Sequence, residues 1–167
     1  MRIAEAELDH AFAEVIANSP EFVNTLLTGG RFARFASSAR LMIEEQRLAR
    51  PRAKHWWKHW WCRLPDGTES ETDLFLVFEA EGLRFALHLE NKPLDGTLRF
   101  SQAADYRRRA ALKANDPSWL NYSDFEVILL APQTFINKHP EHMRQFDRTL
   151  TYEEVAPFAE LFGRALI

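Results

Sequence analysis

Three ionisable side chains in the middle of the chain could act together on a phosphate ester: Asp73, Glu90 and Lys92. Asp73 opens the apolar run Leu74-Phe75-Leu76-Val77-Phe78, and Glu90-Asn91-Lys92 closes a second run that begins at Arg84. In a strand, residues two apart project to the same face, so Glu90 and Lys92 point the same way. Glu81-Gly82 reads as a tight turn, and antiparallel pairing across it sets the start of the first strand beside the end of the second. Asp73 then meets Glu90 and Lys92 at one edge of the sheet. Two carboxylates, a water and a phosphate oxygen are hard oxygen ligands of the kind Mg²⁺ accepts. Such an ion polarises the phosphoryl oxygen and acidifies water, while Lys92 orients that water or stabilises developing negative charge. Glu-x-Lys alone is a weak signal, since most exposed Glu–Lys neighbours are solvated strand ends. The context carries the inference: an acid opening one apolar strand, and a polar helix after the other.

That helix spans Arg99 to about Asn115, and Gln102 and Tyr106 share one face of it at a spacing of four. The face continues through Arg99, Arg109 and Lys113, giving a basic stripe with one aromatic. Ala103, Ala104, Ala110 and Ala111 supply small residues for close packing. A basic stripe beside an acidic metal site suits a polyanion gripped by its backbone near the reacting phosphate. The plainer alternative is an amphipathic helix with a solvated arginine face, which is the better account of Arg107 and Arg108.

Asp73, the Glu90-Asn91-Lys92 triplet and Gln102-x-x-x-Tyr106 together resemble the PD-(D/E)XK nuclease superfamily. More narrowly, they are similar to the branch with a QxxxY motif after the catalytic strands, as in RecB-type nuclease domains. The resemblance implies an α/β fold: a central mixed β-sheet with an α-β-β-β-α-β restriction-endonuclease-like core and flanking helices. It implies that Asp73 and Glu90 bind Mg²⁺ (or Mn²⁺) with the Asn91 carbonyl, and that Lys92 is catalytic. It further implies that Gln102 and Tyr106 contact nucleic acid or brace the site. Many such nucleases add an acidic ligand from the first helix, where Glu7 and Glu14 are the candidates and Glu7 is preferred. Thr72 stands where the family more often has proline.

A chain of 167 residues, 46% hydrophobic and 27% charged, is expected to form a single domain, residues 1–167, with a substantial core. A net charge of −3 argues against a protein that coats nucleic acid nonspecifically, so contact must come from local basic patches. No apolar run reaches membrane-spanning length and no signal-like segment opens the chain. The lone Cys62 permits no internal disulfide, which suits a cytoplasmic protein.

Along the chain, Leu8, Phe12, Val15 and Ile16 mark a first helix, with Glu7, Asp9 and Glu14 outside its apolar face. Ser19-Pro20 restarts a second helix, which Gly29-Gly30 ends. Residues 31–54 are the most basic portion, and Arg50-Pro51-Arg52 reads as a loop. The tryptophan-rich stretch from His55 to Cys62 reads as a two-sided first strand whose aromatics pack in the core. A zinc pair of His55 and His59 is rejected, because residues four apart on a strand lie about 13 Å apart. Phe125–Ala131 is a buried strand, Phe135–Phe146 a helix interrupted by Pro140, and Thr149-Leu150 a short edge strand. Thr151-Tyr152-Glu153-Glu154 resembles a capping box starting a helix over Glu153–Leu166.

The expectation is therefore an Mg²⁺-dependent deoxyribonuclease, with endonucleolytic cutting favoured. Its partners would be DNA, a second copy of the chain that lets one site per subunit cut both strands, and a protein partner that supplies specificity. The rival from another class is a catalytically inactive nuclease-like module that binds nucleic acid or protein. A hydrolase of RNA or of another phosphoester is a third alternative.

Overall fold

The computed structural model describes residues 2–167. Two helices lead, α1 (Glu5–Asn18) and α2 (Pro20–Thr28). Leu8, Phe12 and Ile16 recur at helical spacing and are fully buried. Ser19 accepts the Phe22 N–H at 3.1 Å, and Pro20 takes the first helical position, where its missing N–H costs nothing.

The remaining elements are β1 (Arg40–Leu41), α3 (Ile43–Ala49), β2 (Trp60–Arg63), β3 (Glu69–Thr72), β4 (Leu74–Ala80) and β5 (Leu83–Asn91). They continue with α4 (Gln102–Lys113), β6 (Asp124–Ala131), α5 (Gln133–Lys138), α6 (Pro140–Met143), β7 (Arg148–Thr151), α7 (Tyr152–Val155) and α8 (Glu160–Arg164). Five strands form a mixed sheet in the order β1-β4-β5-β6-β7. β1, β4 and β5 run antiparallel, whereas β6 and β7 lie parallel to β5. The β4–β5 hairpin turns at Glu81 (φ 51°) and Gly82 (φ 78°), the two left-handed positions that a two-residue hairpin requires. α4 is the crossover that lets β6 return parallel to β5.

The apolar runs of β4 and β5 have no polar face because both sides of the sheet are covered. Leu74, Leu76, Phe78, Leu87 and Leu89 pack with Phe12, Phe22, Tyr152 and Phe162 from the N- and C-terminal helices. Phe75, Val77 and Ala86 pack on the opposite face with Trp60, Trp119 and Tyr122. Beside them, Val127 and Leu129 receive Tyr106 and Ala110 of α4.

β1 covers only the far end of β4, with Leu41 opposite Phe78. The Gln46 side chain takes over nearer Asp73. Its amide N–H groups donate to the carbonyls of Phe75 (3.0 Å) and Trp56 (3.2 Å), and its oxygen accepts the Val77 N–H at 2.8 Å. Phe75 N–H donates to Trp57 O at 3.0 Å.

Three readings of the sequence need correction. The tryptophan-rich stretch does not form a strand from His55 and does not join the central sheet. His59 adopts φ 65°, which breaks an extended run, and only Trp60–Arg63 pairs, with β3 in a separate two-stranded sheet. Trp56, Trp57 and Trp60 do pack in the core, but Trp61 is 54% exposed. The C-terminal helix is two short helices, because Pro157 lacks an N–H and cannot sit inside a continuous one. Its capping box does form: Thr151 Oγ1 accepts Glu154 N–H at 3.1 Å, and Glu154 accepts Thr151 N–H at 2.7 Å. On α4, Ala103 and Ala110 are buried but Ala104 and Ala111 are exposed, so the packing face is not the alanine face alone. No helix among the described residues is long and apolar enough to cross a membrane.

Candidate functional site

Leu74 pairs with Leu89 across the hairpin, so Asp73 stands opposite Glu90. Asp73 Oδ2 accepts the Asn91 N–H at 3.0 Å, which ties the acid to the end of β5. Lys92 N–H donates to Leu130 O at 2.8 Å, extending the ladder one residue past β5. Alternation then sets the Lys92 side chain on the face of Glu90, with Nζ 2.5 Å from Glu90 Oε1. The same oxygen accepts a hydrogen bond from Gln102 Nε2. Glu90 is 1% exposed, and its other oxygen, Oε2, is buried without a hydrogen-bond partner.

Helix α1 contributes acids to this cluster, but not the ones singled out from the sequence. Glu7 accepts the Ala4 N–H at 2.8 Å and so caps its own helix, and Glu14 is exposed beside a different recess. The inward acids are Glu5 and Asp9, one turn apart. Asp9 is buried, contrary to its assignment outside the apolar face, and Oδ1 accepts from Asn91 Nδ2 at 2.7 Å. Tyr152 O–H completes the chain by donating to Asn91 Oδ1 at 2.6 Å.

The electrostatics reflect too many carboxylates in too little water. Burial raises the Asp9 carboxyl to about 7, with Glu5 and Glu90 adding to the effect. Burial, then Glu90 and Asp9, hold Asp73 well above the usual carboxylate range. Glu5 is also raised, by burial first and with Lys92 opposing. Burial pulls the Lys92 ammonium down, but Glu90 and Asp73 outweigh it and leave the net shift upward. Lys92 is therefore a fixed positive charge rather than a free base.

On α4, Gln102 and Tyr106 turn inward. The Tyr106 hydroxyl accepts the Asp73 N–H at 3.1 Å, and burial with the nearby Asp73 and Glu90 charges keeps the phenol protonated. Both residues brace the two acids. Arg109 departs from the expected nucleic-acid contact, since it is 0% exposed. Its guanidinium lies 4.2 Å over the Tyr106 ring, and it donates to Thr72 Oγ1 at 2.8 Å and to Ser70 Oγ. Thr72 Oγ1 in turn lies 3.0 Å from Nδ1 of the buried His88. Lys113 is held by Asp116 at 3.2 Å, away from the acids. Of the predicted stripe, only Arg99 is exposed near Gln102, whose side chain accepts its N–H at 3.2 Å.

A divalent cation fits this donor set. Glu90 Oε2 has no partner, Asp73 keeps one oxygen beyond the Asn91 bond, and the mutual repulsion of the acids lacks a full counter-charge. A recess lined by Ala4, Glu5, Lys92, Pro93 and Gly96 opens beside them. Lys58 is close enough to lower both Glu5 and Asp9. A second recess is lined by Arg47, Arg50 and Lys54 with His10, His55 and the carboxylate of Glu14.

Glu5, Asp9 and Lys58 are the residues that sequence reasoning missed. Asp9 directly follows Leu8 on the edge of the apolar stripe, and that adjacency was the available signal. Comparison of the chain with protein-family models, with curated proteins and with solved structures gives no match.

Proposed function

We propose that this chain is a divalent-metal-dependent nuclease that hydrolyses DNA phosphodiester bonds, built on a restriction-endonuclease-like core. The observation that carries the proposal is the convergence of Asp73, Glu90 and Lys92 at one end of the β4–β5 hairpin, with Glu90 Oε2 left buried and unpartnered. The strand arrangement supports it: three antiparallel strands, a crossover helix and a parallel strand, with α1 laid against them.

Asp73 and Glu90 would hold the cation, Mg²⁺ or Mn²⁺, each through its free oxygen. When bound, the cation supplies charge neutralisation at the phosphoryl oxygens and acidifies water. Lys92, fixed by Glu90, presents a positive charge to the negative charge that develops during displacement. Gln102 and Tyr106 keep the two acids in register, because each spends a polar atom on one of them. Lys58, near Glu5 and Asp9, and Lys54 in the second recess are cations that a polyanion backbone could meet beside the acids.

The test is cleavage of labelled linear, circular and single-stranded DNA with Mg²⁺ or Mn²⁺ by the parent, Lys92→Ala and Asp73→Asn. The expected result is metal-dependent cutting that falls by about 10²-fold or more in each variant. Variants that cut as fast as the parent would end the proposal. A parent that binds nucleic acid equally well with and without Mg²⁺, and never cuts, would instead support a binding module without turnover.

A further inference from the structure

The turn between α5 and α6 carries a second cluster with a different chemistry. His139, Glu141 and His142 each offer one ligand atom, and these atoms all lie within 4.8 Å of one another. His139 and His142 are three apart at the start of a helical turn, which brings their rings to one side, 5.8 Å between centroids. The turn is fixed from several directions. Pro140 restricts the backbone between the histidines, His139 N–H donates to Ile136 O at 3.1 Å, and His142 N–H donates to His139 O at 3.1 Å.

The rings are also held by their neighbours. Phe135 lies 4.6 Å from His139, and Phe100 lies 5.8 Å from His142. The His142 side chain is 14% exposed, while Glu141, whose Oε1 is 3.3 Å from His142 Nε2, is 59% exposed. The two rings are half-buried against Phe135 and Phe100, and the side of the cluster that carries Glu141 stays open to solvent.

We propose that His139, Glu141 and His142 form a binding site for a late first-row divalent ion of the Zn²⁺ class. Two imidazoles with one carboxylate favour Zn²⁺, Ni²⁺ or Cu²⁺ over Mg²⁺, which prefers an all-oxygen shell. Three protein ligands leave a fourth position for water or an incoming ligand, as in open zinc sites. The site is separate in sequence and in donor chemistry from the Asp73/Glu90 cluster, so the chain would carry one hard and one softer cation site. Phe100, two residues before the start of α4, is the neighbour of His142 on the side of the chain that leads to Gln102.

The experiment is a calorimetric titration of chelator-stripped, untagged protein with Zn²⁺, paired with a Co²⁺ titration followed by visible absorption. The parent, His139→Ala, His142→Ala, Glu141→Gln and the Asp73→Asn control are compared, with circular dichroism to confirm that each is folded. The expected result is one tightly bound Zn²⁺ per chain and tetrahedral-type Co²⁺ bands. Affinity for this ion should fall about tenfold or more in each histidine variant, while Asp73→Asn should keep the tight site and lose only a weaker second uptake at the hairpin acids. Loss of Zn²⁺ binding only in Asp73→Asn would assign the ion to the hairpin acids and overturn the proposal. Absence of Zn²⁺ uptake by the parent, or uptake unaffected by both histidine substitutions, would overturn it equally.

Discussion

Replacing Asp9 with asparagine should stabilise the protein, and only above a particular pH. Asp9 is 3% exposed, and its carboxyl is raised from the ordinary 3.8 to about 7. A group whose folded pKa exceeds its unfolded value helps folding fully below the unfolded pKa and loses that help as pH rises through the folded one. Relative to a neutral side chain, Asp9 therefore costs stability increasingly from about pH 4, and the cost is complete above about pH 7. At about 1.36 kcal/mol for each tenfold change in proton affinity, moving from 3.8 to about 7 corresponds to about 4 kcal/mol. Asn at this position keeps an oxygen to accept the 2.7 Å bond from Asn91 Nδ2. Asp9→Asn should then gain about 4 kcal/mol at about pH 8.5, and the gain should shrink towards zero near pH 4. Urea unfolding of both proteins across this range, in chelator-containing buffer, reads the difference directly. A gain that does not vary with pH, or a loss at about pH 8.5, would refute the charge argument.

Arg109→Ala should destabilise the fold by about 2–5 kcal/mol, since it opens a cavity beneath Tyr106 and strips Thr72 and Ser70 of a donor. Arg109→Met, which keeps the volume without burying a charge, should lose less, and denaturant titration separates the two. Glu126→Ala should cost about 3–5 kcal/mol. It leaves the largely buried Arg148 without the carboxylate 2.8 Å from Nε, and leaves Arg31 N–H without its acceptor. Gly30→Ala should weaken the same region, because a Cβ there would lie 2.5 Å from both Arg148 Nε and a Glu126 oxygen, and thermal unfolding should show a lower midpoint.

The hairpin was the most legible part of the chain. A period of two, a two-residue turn with glycine second and two apolar runs leave little freedom of register, so Asp73 and Glu90 had to meet. The acids from α1 were not legible in the same way. Glu5 with Asp9 and Glu7 with Glu14 are both sensible helical pairs, and the choice depends on how α1 docks. Asn91, far away in sequence, decides it by giving Asp9 a buried partner. Arg109 misled for a related reason: its polarity suggested solvent, but the Tyr106 ring and two hydroxyls let it be buried. The tryptophans fitted a strand by alternation alone, and nothing local announced the positive φ at His59.

Gln46 has a consequence for the behaviour of the chain in crowded solution. β4 contains Leu74-Phe75-Leu76-Val77-Phe78, an uncharged run of high β propensity, and only two rungs of β1 shield its outer border. Such a segment templates strand addition by other molecules wherever its N–H and C=O groups are free. One glutamine amide and the Trp57 carbonyl occupy those groups instead, without presenting a further edge of their own. Gln46, the Trp57 carbonyl and the Met42 N–H on Val77 O together leave no free rung along this border, and loss of Gln46 should free two of those groups and raise the tendency of the chain to associate edge to edge.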